Sequence, residues 1–242
     1  MSCSTTPIVF IVDNDISVRE SLTILIENTG WQPQTFASAA EFLAHPKSAV
    51  PSCLILDSIL PDLNGLELQE RVSAERCDIP IIFLSSHVDL PVAVKAIKRG
   101  AQEFMLKPFD SGMLLSAIRN AIKRSELTLS REMELHRLRA DYESLSRRER
   151  EVMAGVASGL LNKEVGTELG ISEITVKVHR GSVMRKMKAD SFAHLVNIAS
   201  KLRVVRHLTV SARLEERQHV NRRFDEQTPV PAIVGSPSYH VL

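Results

Sequence analysis

Cysteine is scarce in this sequence, and long hydrophobic runs are missing from it. The three cysteines are Cys3, Cys53 and Cys77, an odd number without metal-ligand spacing, which supports neither a disulfide framework nor a zinc site. We expect them to be reduced, with Cys53 in a core. The longest apolar runs, such as Ile8–Val12, are far shorter than the roughly 20 residues of a membrane-spanning helix, and no secretory signal opens the chain. We therefore expect a cytoplasmic protein that does not bind membranes.

Charge is unevenly distributed along an otherwise ordinary globular sequence. The 242 residues are 44% hydrophobic and 24% charged, with a net charge of +1, which excludes collagen-like, low-complexity and fully disordered chains. Residues 1–122 carry 9 Lys and Arg against 14 Asp and Glu, whereas residues 146–202 carry 10 against 6. This split predicts two parts with separate tasks, the first suited to cations and the second to phosphate backbones.

Short apolar runs alternate with segments of helical periodicity over the first 122 residues. Strands that are apolar on both faces indicate a parallel sheet covered on both sides by helices. The five repeats predict an α/β, flavodoxin-like (βα)5 doubly wound domain, whose site lies at the carboxyl ends of the strands. The predicted strands are 8–12, 34–36, 53–56, 79–84 and 103–106, and the predicted helices are 17–29, 39–45, 64–74, 91–99 and 111–123.

The last of these helices has no stop signal. From residue 115 to residue 145 no Pro or Gly interrupts the chain, and apolar residues recur at three- and four-residue steps, as at Leu115, Ile118, Leu138 and Tyr142. The pattern predicts a helical linker over residues 123–144. It is either a coiled-coil seam or a solvated helix with a few hydrophobic anchors.

Residues 145–202 are predicted to form a compact, all-α unit with clear helix caps. Ser146 followed by Glu149 is a capping box, Gly170 is a helix stop, and Ser172 can cap the next helix. Beyond residue 203 the chain is rich in Arg and Gln, and we expect the tail 203–242 to be largely disordered.

Acidic, basic and hydroxyl side chains follow the predicted strands of the first part. Carboxylates at neighbouring strand ends can hold Mg²⁺, and a lysine and a hydroxyl beside them can take phosphate oxygens. Together they supply what in-line phosphoryl transfer onto a carboxylate requires. Each residue alone is more often a turn, cap or solvated residue, so the hypothesis depends on their shared position. They are Asp13, Asn14 and Asp15 after the first strand, Asp57 after the third, Ser85 after the fourth and Lys107 after the fifth.

Several of these features occur together over residues 6–122: Asp13 and Asn14, Asp57 with the continuation PDLNG, Ser85, Phe104, and Lys107–Pro108. Through them this segment resembles the receiver domain of two-component response regulators. The resemblance implies that a cognate sensor histidine kinase phosphorylates Asp57, that Ser85 and Phe104 reorient in response, and that Lys107 contacts the phosphate. It also implies a Mg²⁺ or Mn²⁺ ion held by Asp13, residue 14, Asp57 and the backbone carbonyl of Ile59, and a cis peptide bond before Pro108.

Asn14 departs from the receiver pattern, in which this position is usually an aspartate that binds the metal. An amide oxygen can still be a ligand, but it removes a negative charge from the cluster. Asp15 is a candidate to replace part of the negative charge that is missing at position 14. We therefore expect a working receiver with weak metal affinity. The alternative is a degenerate receiver in a regulator that binds DNA without phosphorylation.

The stretch NKEVGTELG at 162–170, followed by ISEITVKVHR, has the helix, tight turn and helix of a helix-turn-helix motif. On the second helix, helical spacing predicts a core stripe of Val176, Val183 and Met187. The opposite face then presents polar and small apolar residues to a DNA groove. This face consists of Ile174, Lys177, Val178, Gly181 and Arg185.

The elements SRRERE, NKE, IS–TVK–H and the KM ending resemble the LuxR/FixJ-type DNA-binding domain over residues 145–202. The resemblance implies a tetrahelical domain whose helix 172–187 reads DNA and whose last helix, 191–202, often serves in dimerisation. Gly181, at a base-contacting position, provides no side chain, so a known target sequence does not transfer. The predicted DNA-binding residues are Lys163, Thr175, Lys177, Val178, Arg185 and Lys186.

The two parts together resemble the FixJ/NarL branch of response regulators. They imply a phosphorylation-dependent transcription regulator, an activator by family habit, with no enzymatic activity beyond its own phosphoryl transfer and dephosphorylation. We expect phosphorylation to pair two receivers through the surface around 91–99 and the fifth strand. The homodimer would bind double-stranded promoter DNA, with RNA polymerase as a further partner. Inhibition of the DNA-binding part by the unphosphorylated receiver is an equal alternative.

Two other classes of function are disfavoured by the sequence. A haloacid-type phosphohydrolase also uses a strand-end Asp, but it requires a second Asp two residues later, where this chain has Ile59. A protein-protein scaffold with a merely solvated basic face would not require the helix-turn-helix pattern.

Overall fold

A computed structural model describes residues 6–76, 78–87 and 89–204 of the chain. The chain divides into two compact units, Met1–His136 and Arg137–Leu242, which we call the first and the second unit. In the described ranges, no helix has both the length and the apolar character needed to cross a membrane. Cys53 is buried, as predicted. The predictions for Cys3, for Cys77 and for the tail beyond residue 204 lie outside the described residues.

The first unit alternates strands with helices, as the sequence predicts. Its strands are β1 Ile8–Val12, β2 Gln32–Phe36, β3 Ser52–Asp57, β4 Ile81–Ser85 and β5 Glu103–Leu106. Its helices are α1 Ile16–Glu27, α2 Ala39–Ala44, α3 Gly65–Glu75, α4 Leu90–Lys98 and α5 Ser111–Glu143, the last of which continues into the second unit. All paired strands are parallel, in the order β2-β1-β3-β4-β5. The flavodoxin-like doubly wound fold is confirmed.

Each face of the sheet has its own apolar core. Phe10, Leu54 and Phe83 belong to one core, while Val9 and Ile55 belong to the other, because successive side chains of a strand point to opposite faces. All five are at most 1% exposed. Burial on both faces explains why β1, β3 and β4 are continuous apolar runs, without the alternation of a half-exposed sheet.

The strand boundaries differ from the predicted ones where local chemistry overrides the apolar pattern. β1 and β5 begin and end as predicted. β4 begins at Ile81, two residues later than predicted, because Pro80 has no N–H to donate to a ladder. β2 begins at Gln32, two residues earlier than predicted, because this edge strand is half-exposed and carries Pro33. No apolar run marks its first residues.

Helix α5 is continuous from Ser111 to Glu143 and runs through the predicted linker 123–144. Its beginning packs on the sheet through Leu114 and Ile118. Within the second unit, Leu138 and Tyr142 pack on that unit's core. Leu127 and Met133 between them are 52% and 57% exposed. These exposures leave both the coiled-coil seam and the solvated helix open, and the domain boundaries 6–122, 123–144 and 145–202 stay predictions.

The second unit continues with four helices in its described part: α6 Arg147–Ala157, α7 Asn162–Leu169, α8 Glu173–Lys186 and α9 Phe192–Lys201. The predicted caps are confirmed: Ser146 and Glu149 form a capping box, Gly170 ends α7 in the left-handed region, and Ser172 caps α8. Their core contains the predicted stripe of α8, namely Val176, Val183 and Met187. The all-α helix-turn-helix fold is confirmed.

The turn between α7 and α8 depends on a close backbone approach at Gly166. The Ile171 N–H donates to the Gly166 carbonyl at 2.9 Å. A Cβ on Gly166 would lie 2.8 Å from the Ile171 carbonyl oxygen, closer than atoms of these types can pack. This residue therefore sets how tightly α8 follows α7.

Gly166→Ala should therefore destabilise the second unit by about 1–3 kcal/mol, the usual cost of overpacking. Gly181→Ala is the matched control, because Gly181 is also helical but has nothing within 4 Å of its Cβ position. This control should stabilise the unit by about 0.5–1 kcal/mol. Urea unfolding followed by circular dichroism measures both, and equal effects would contradict the close-packing argument.

Candidate functional site

The predicted strand-end residues of the first unit lie together at the carboxyl edge of the sheet. Asp13 follows β1 and Asp57 ends β3, and these two strands are neighbours. The chain leaves β1 toward β2 on one side and leaves β3 toward β4 on the other. A crevice opens at such a switch point in doubly wound sheets. The fold thus brings two carboxylates to one edge, where both are nearly buried, at 1% and 7% exposure.

Lys107, directly after β5, joins the two carboxylates. Its Nζ donates to Asp13 Oδ2 at 2.5 Å and to Asp57 Oδ2 at 3.3 Å. The lysine backbone N–H donates to the Ser85 carbonyl at 2.8 Å, which fixes the start of its side chain beside β4. The peptide bond to Pro108 is cis, as the resemblance implies. We call Asp13, Asp57, Ser85 and Lys107 the strand-end cluster.

The environment of Asp57 changes its acidity. Burial raises the pKa of the Asp57 carboxyl above its ordinary value of 3.8, the nearby Lys107 ammonium opposes the rise, and the charge of Asp13 adds to it. The Ile59 N–H donates to Asp57 Oδ1 at 3.3 Å and also favours the ionised form. A desolvated carboxylate held by one ammonium is a nucleophile with a donor beside it.

Ser85 is held in a hydroxyl network that the sequence analysis did not predict. Ser58 Oγ donates to Ser85 Oγ at 2.8 Å, and Ser85 Oγ in turn donates to the His87 carbonyl at 3.0 Å. Both serines are buried, at 9% and 2% exposure. Phe104 is half-buried and stacks on Phe83, with ring centroids 5.9 Å apart. Of the two predicted switch residues, Ser85 thus ends β4 within the cluster, and Phe104 lies on the neighbouring strand β5.

The residues after β1 have distinct roles. Asp15 Oδ1 accepts the Ser17 N–H at 2.8 Å and caps α1, so its carboxylate is used in the helix cap. Asn14 is exposed beside Asp13. Arg19 on α1 donates to the Asp13 carbonyl at 2.6 Å, which ties the loop after β1 to the first helix.

The second unit exposes one face of α8. Lys177, Val178, Ile174, Gly181 and Arg185 are all exposed, as predicted. Two apolar members stand out, because Ile174 is 74% and Val178 66% exposed. Lys163 on α7 is also exposed. Thr175, in the first turn of α8, is half-buried and contacts the cap residue Ser172.

Lys186, the last residue of α8, has a different environment from Lys177 and Arg185 on the exposed face. Its Nζ donates to Glu149 Oε2 at 2.7 Å and to the Ser144 carbonyl at 3.3 Å. Hydrogen bonds lower the pKa of Glu149 to about 2. The one from Lys186 has the largest effect, and the one from the Ser146 backbone N–H comes second. The pair joins α6 to the end of α8. Of the predicted phosphate contacts, Lys186 is therefore engaged within the protein, whereas Lys163 and Arg185 are exposed.

Two family models match the chain. The response regulator receiver domain matches residues 9–119, and the luxR family of bacterial regulatory proteins matches residues 143–199. The chain is 44% identical to nodulation protein W of Bradyrhizobium diazoefficiens over 199 residues. The aligned region covers 82% of this chain and 88% of that protein. It is 36% identical over 193 residues to the transcriptional regulatory protein FixJ of the same organism, covering 80% and 94%.

This chain belongs to the FixJ family of two-component response regulators. The solved structure of the response regulator StyR agrees, with a TM-score of 0.71, 41% identity, and coverage of 81% of this chain and all of that one. The FixJ-type chain is thus a phosphorylation-dependent, DNA-binding transcription regulator. Its family consists of DNA-binding regulators and not of classical enzymes.

Receiver domains generally bind Mg²⁺ for phosphorylation, and the donors of this response regulator fit such an ion. Asp13 and Asp57 have carboxylate oxygens, Asn14 an amide oxygen and Ile59 a backbone carbonyl, and oxygen is the ligand type that Mg²⁺ prefers. Among the described residues, no group of three or more His, Cys, Asp or Glu side chains could hold a metal ion. Of the candidate ligands at this edge, only Asp13 and Asp57 are acids, because position 14 is Asn.

Sequence reasoning missed Ser58 and the Lys186–Glu149 pair of this regulator. A signal for Ser58 was its position directly after Asp57, where its side chain stays close to the carboxylate. No sequence signal could have revealed the Lys186 pair, because its residues are 37 positions apart.

Asp57→Asn should raise the stability of the response regulator at pH 7 when EDTA is present. The raised pKa of Asp57 means that ionisation costs more in the folded than in the unfolded state. This cost is absent below pH 3.8, where both states are protonated, and is complete above the raised folded pKa. The gain in unfolding free energy should therefore disappear as pH falls toward 3.

Asp62→Asn is a control of opposite sign. The backbone N–H groups of Ala40 and Ala39 hold the pKa of Asp62 below its ordinary value, so its ionised form stabilises the fold above pH 3.8 and that stability is lost in acid. The substitution should lower stability at pH 7. Urea titrations from pH 3 to pH 7 measure both, and a loss of stability in Asp57→Asn at pH 7 would contradict the argument.

Proposed function

We propose that Asp57 is the phosphoacceptor of this response regulator, that a cognate sensor histidine kinase is the donor, and that the modified chain dimerises on promoter DNA. The observation that carries the proposal is the buried Asp57 carboxylate, 3.3 Å from the Lys107 ammonium at the switch point of the sheet. The same chain carries a helix-turn-helix with an exposed basic and apolar face. Bacterial DNA lies in the cytoplasm, where we locate the regulator.

The Asp57 carboxylate attacks the phosphorus of a phosphohistidine in line with the P–N bond. A P–O bond forms as the P–N bond breaks, and the leaving imidazole takes a proton from solvent. Lys107 donates to an oxygen of the transferred group and balances its charge. Desolvation of Asp57 removes water that would otherwise shield the attacking oxygen. The chain catalyses only this transfer and the later hydrolysis of the acyl phosphate.

Asp13, Asn14, Asp57 and the Ile59 carbonyl would hold Mg²⁺ or Mn²⁺. When bound, the ion supplies positive charge that neutralises the phosphoryl oxygens. Asn14 provides an oxygen ligand without a negative charge, and the Asp15 carboxylate is used as the cap of α1. We therefore propose a receiver with weak metal affinity. The missing negative charge at position 14 is the motive for the alternative, a degenerate receiver in a regulator that binds DNA without phosphorylation.

The proposed dimer surface consists of α4 and β5. Leu90, Val94 and Ile97 on α4 are 69%, 44% and 46% exposed, and Leu106 on β5 is 40% exposed. Large apolar side chains grouped on a surface favour a protein interface. Ser85 ends β4 within the strand-end cluster, and Phe104 lies on β5, the strand that carries Leu106 of this surface. Their reorientation would bias it toward pairing.

The exposed face of α8 is the proposed reading surface for DNA. Lys177 can reach a base edge or a phosphate, Val178 and Ile174 can contact thymine methyl groups, and Arg185 and Lys163 suit phosphates. Thr175 and Lys186 were predicted contacts as well, and Lys186 would have to leave Glu149 to reach DNA. By family habit the dimer activates transcription and contacts RNA polymerase. Release of an inhibited DNA-binding domain is the other possible mode.

Treatment of the full chain with acetyl phosphate and Mg²⁺ should add the mass of one phosphoryl group, measured by intact-mass spectrometry. Asp57→Asn should gain none, because it lacks the nucleophile. Asn14→Asp should reach half-maximal modification at a Mg²⁺ concentration lower by about tenfold, since it restores a charged ligand. An unmodified wild type would support the phosphorylation-independent alternative, and equal Mg²⁺ dependence would contradict weak metal affinity.

Lys177→Ala should weaken binding to a duplex enriched by the wild type from a random pool by about tenfold or more, the usual cost of a lost base contact. Its Nζ also pairs with Glu173 at 2.9 Å, so the change leaves an acid on the DNA face. Lys123→Ala removes the same charge from an exposed position on α5 and should leave affinity unchanged. Fluorescence anisotropy at several salt concentrations measures both, and similar affinities would exclude α8 as the reading helix.

A further inference from the structure

Ser58 is a buried hydroxyl beside the proposed phosphoacceptor, and the proposed function gives it no role. Its Oγ lies 2.8 Å from Ser85 Oγ and 3.5 Å from Asp57 Oδ1. The side chain thus stands between the carboxylate and the proposed switch hydroxyl.

The direction of these hydrogen bonds follows from the donors available. A hydroxyl has one proton, and a carbonyl can only accept. Ser85 spends its proton on the His87 carbonyl at 3.0 Å. Its oxygen accepts from the His87 N–H at 3.3 Å and from Ser58 at 2.8 Å. Ser58 is therefore the donor, and three contacts hold the Ser85 hydroxyl where it lies.

To donate to an oxygen attached to Asp57, Ser85 must withdraw its proton from the His87 carbonyl. The rotation that moves this proton also turns the lone pairs of Ser85 Oγ away from the Ser58 hydroxyl, which donates to them at 2.8 Å. We propose that Ser58 is a positioning residue that holds the Ser85 hydroxyl on His87 and so restrains the switch in the unmodified receiver. This inference rests on the proposed roles of Asp57 and Ser85.

The backbone around Ser58 is held without its hydroxyl. The Ser58 N–H donates to the Leu84 carbonyl at 3.2 Å, and the Ser58 carbonyl accepts the Gly65 N–H at 3.2 Å. A Cβ on Gly65 would lie 2.8 Å from the Asp57 carbonyl oxygen, so the loop after β3 is already packed. Ser58→Ala should therefore fold as the wild type does, while Ser85 loses one contact.

The test uses the full chain with Mg²⁺ and beryllofluoride, which mimics a phosphoryl group on Asp57. Titration calorimetry should give a dissociation constant about fivefold lower for Ser58→Ala, the effect of one buried hydrogen bond lost only from the unmodified state. Ser58→Thr keeps the hydroxyl and should restore the wild-type value. In a Ser85→Ala background, Ser58→Ala should have no effect, because the partner is gone.

A second readout needs neither metal nor mimic. Without ligands, the His87 amide should exchange faster with solvent in Ser58→Ala than in the wild type, since it donates to the hydroxyl that Ser58 holds. Ser58→Thr should exchange as the wild type does.

The results that differ from these expectations overturn either the proposed function or the inference about Ser58. A wild type that binds no beryllofluoride overturns the proposed function, and this inference with it. A wild type that binds it as tightly as Ser58→Ala overturns the inference alone. Weaker binding by Ser58→Ala, in the presence and in the absence of the Ser85 hydroxyl, would mean that Ser58 donates directly to the ligand, which also overturns it.

Discussion

The pairing of one ammonium with two buried carboxylates is the constraint on which the first unit depends. Asp13 and Asp57 are nearly buried at one sheet edge, where loss of water and the neighbouring charge of Asp13 raise the pKa of the Asp57 carboxyl. Lys107 reaches both from the end of β5. A parallel sheet with this strand order is the arrangement that brings the ends of β1, β3 and β5 within reach of one side chain. The fold thus concentrates charge at a single edge.

The second unit separates its charges by function. Glu149 and Lys186 pair between α6 and α8, and this pair holds the depressed pKa of Glu149. Other basic side chains, including Lys163 and Arg185, face solvent. The Glu149–Lys186 pair, in which the lysine side chain is still 35% exposed, joins α6 to the end of α8, whereas the exposed charges are free to meet the phosphate backbone at the proposed DNA site. A count of charged residues does not distinguish the paired Lys186 from the exposed Lys163 and Arg185, although their physical roles differ.

Hydroxyl groups provide the proposed connection between the charged strand-end cluster and the pairing surface on α4. Ser58 and Ser85 lie beside Asp57, and Ser85 is bonded to the loop that follows β4. That loop leads into α4, whose exposed apolar residues form the proposed pairing surface. Hydroxyls suit such a role because they can exchange one acceptor for another by rotation of a single bond. Ser85 is thus bonded to His87, which precedes α4 in the chain.

The sequence by itself determined the fold class, the strand-end residues and the helix caps, because these depend on periodicity and on neighbours within a few positions. Asp13, Asp57, Ser85 and Lys107, like Ser146 with Glu149, could be assigned in this way. Only the tertiary structure decided which hydroxyl meets Ser85 and which acid meets Lys186, since those partners are 27 and 37 positions away. Such contacts arise from the relative placement of whole elements, which local pattern does not encode.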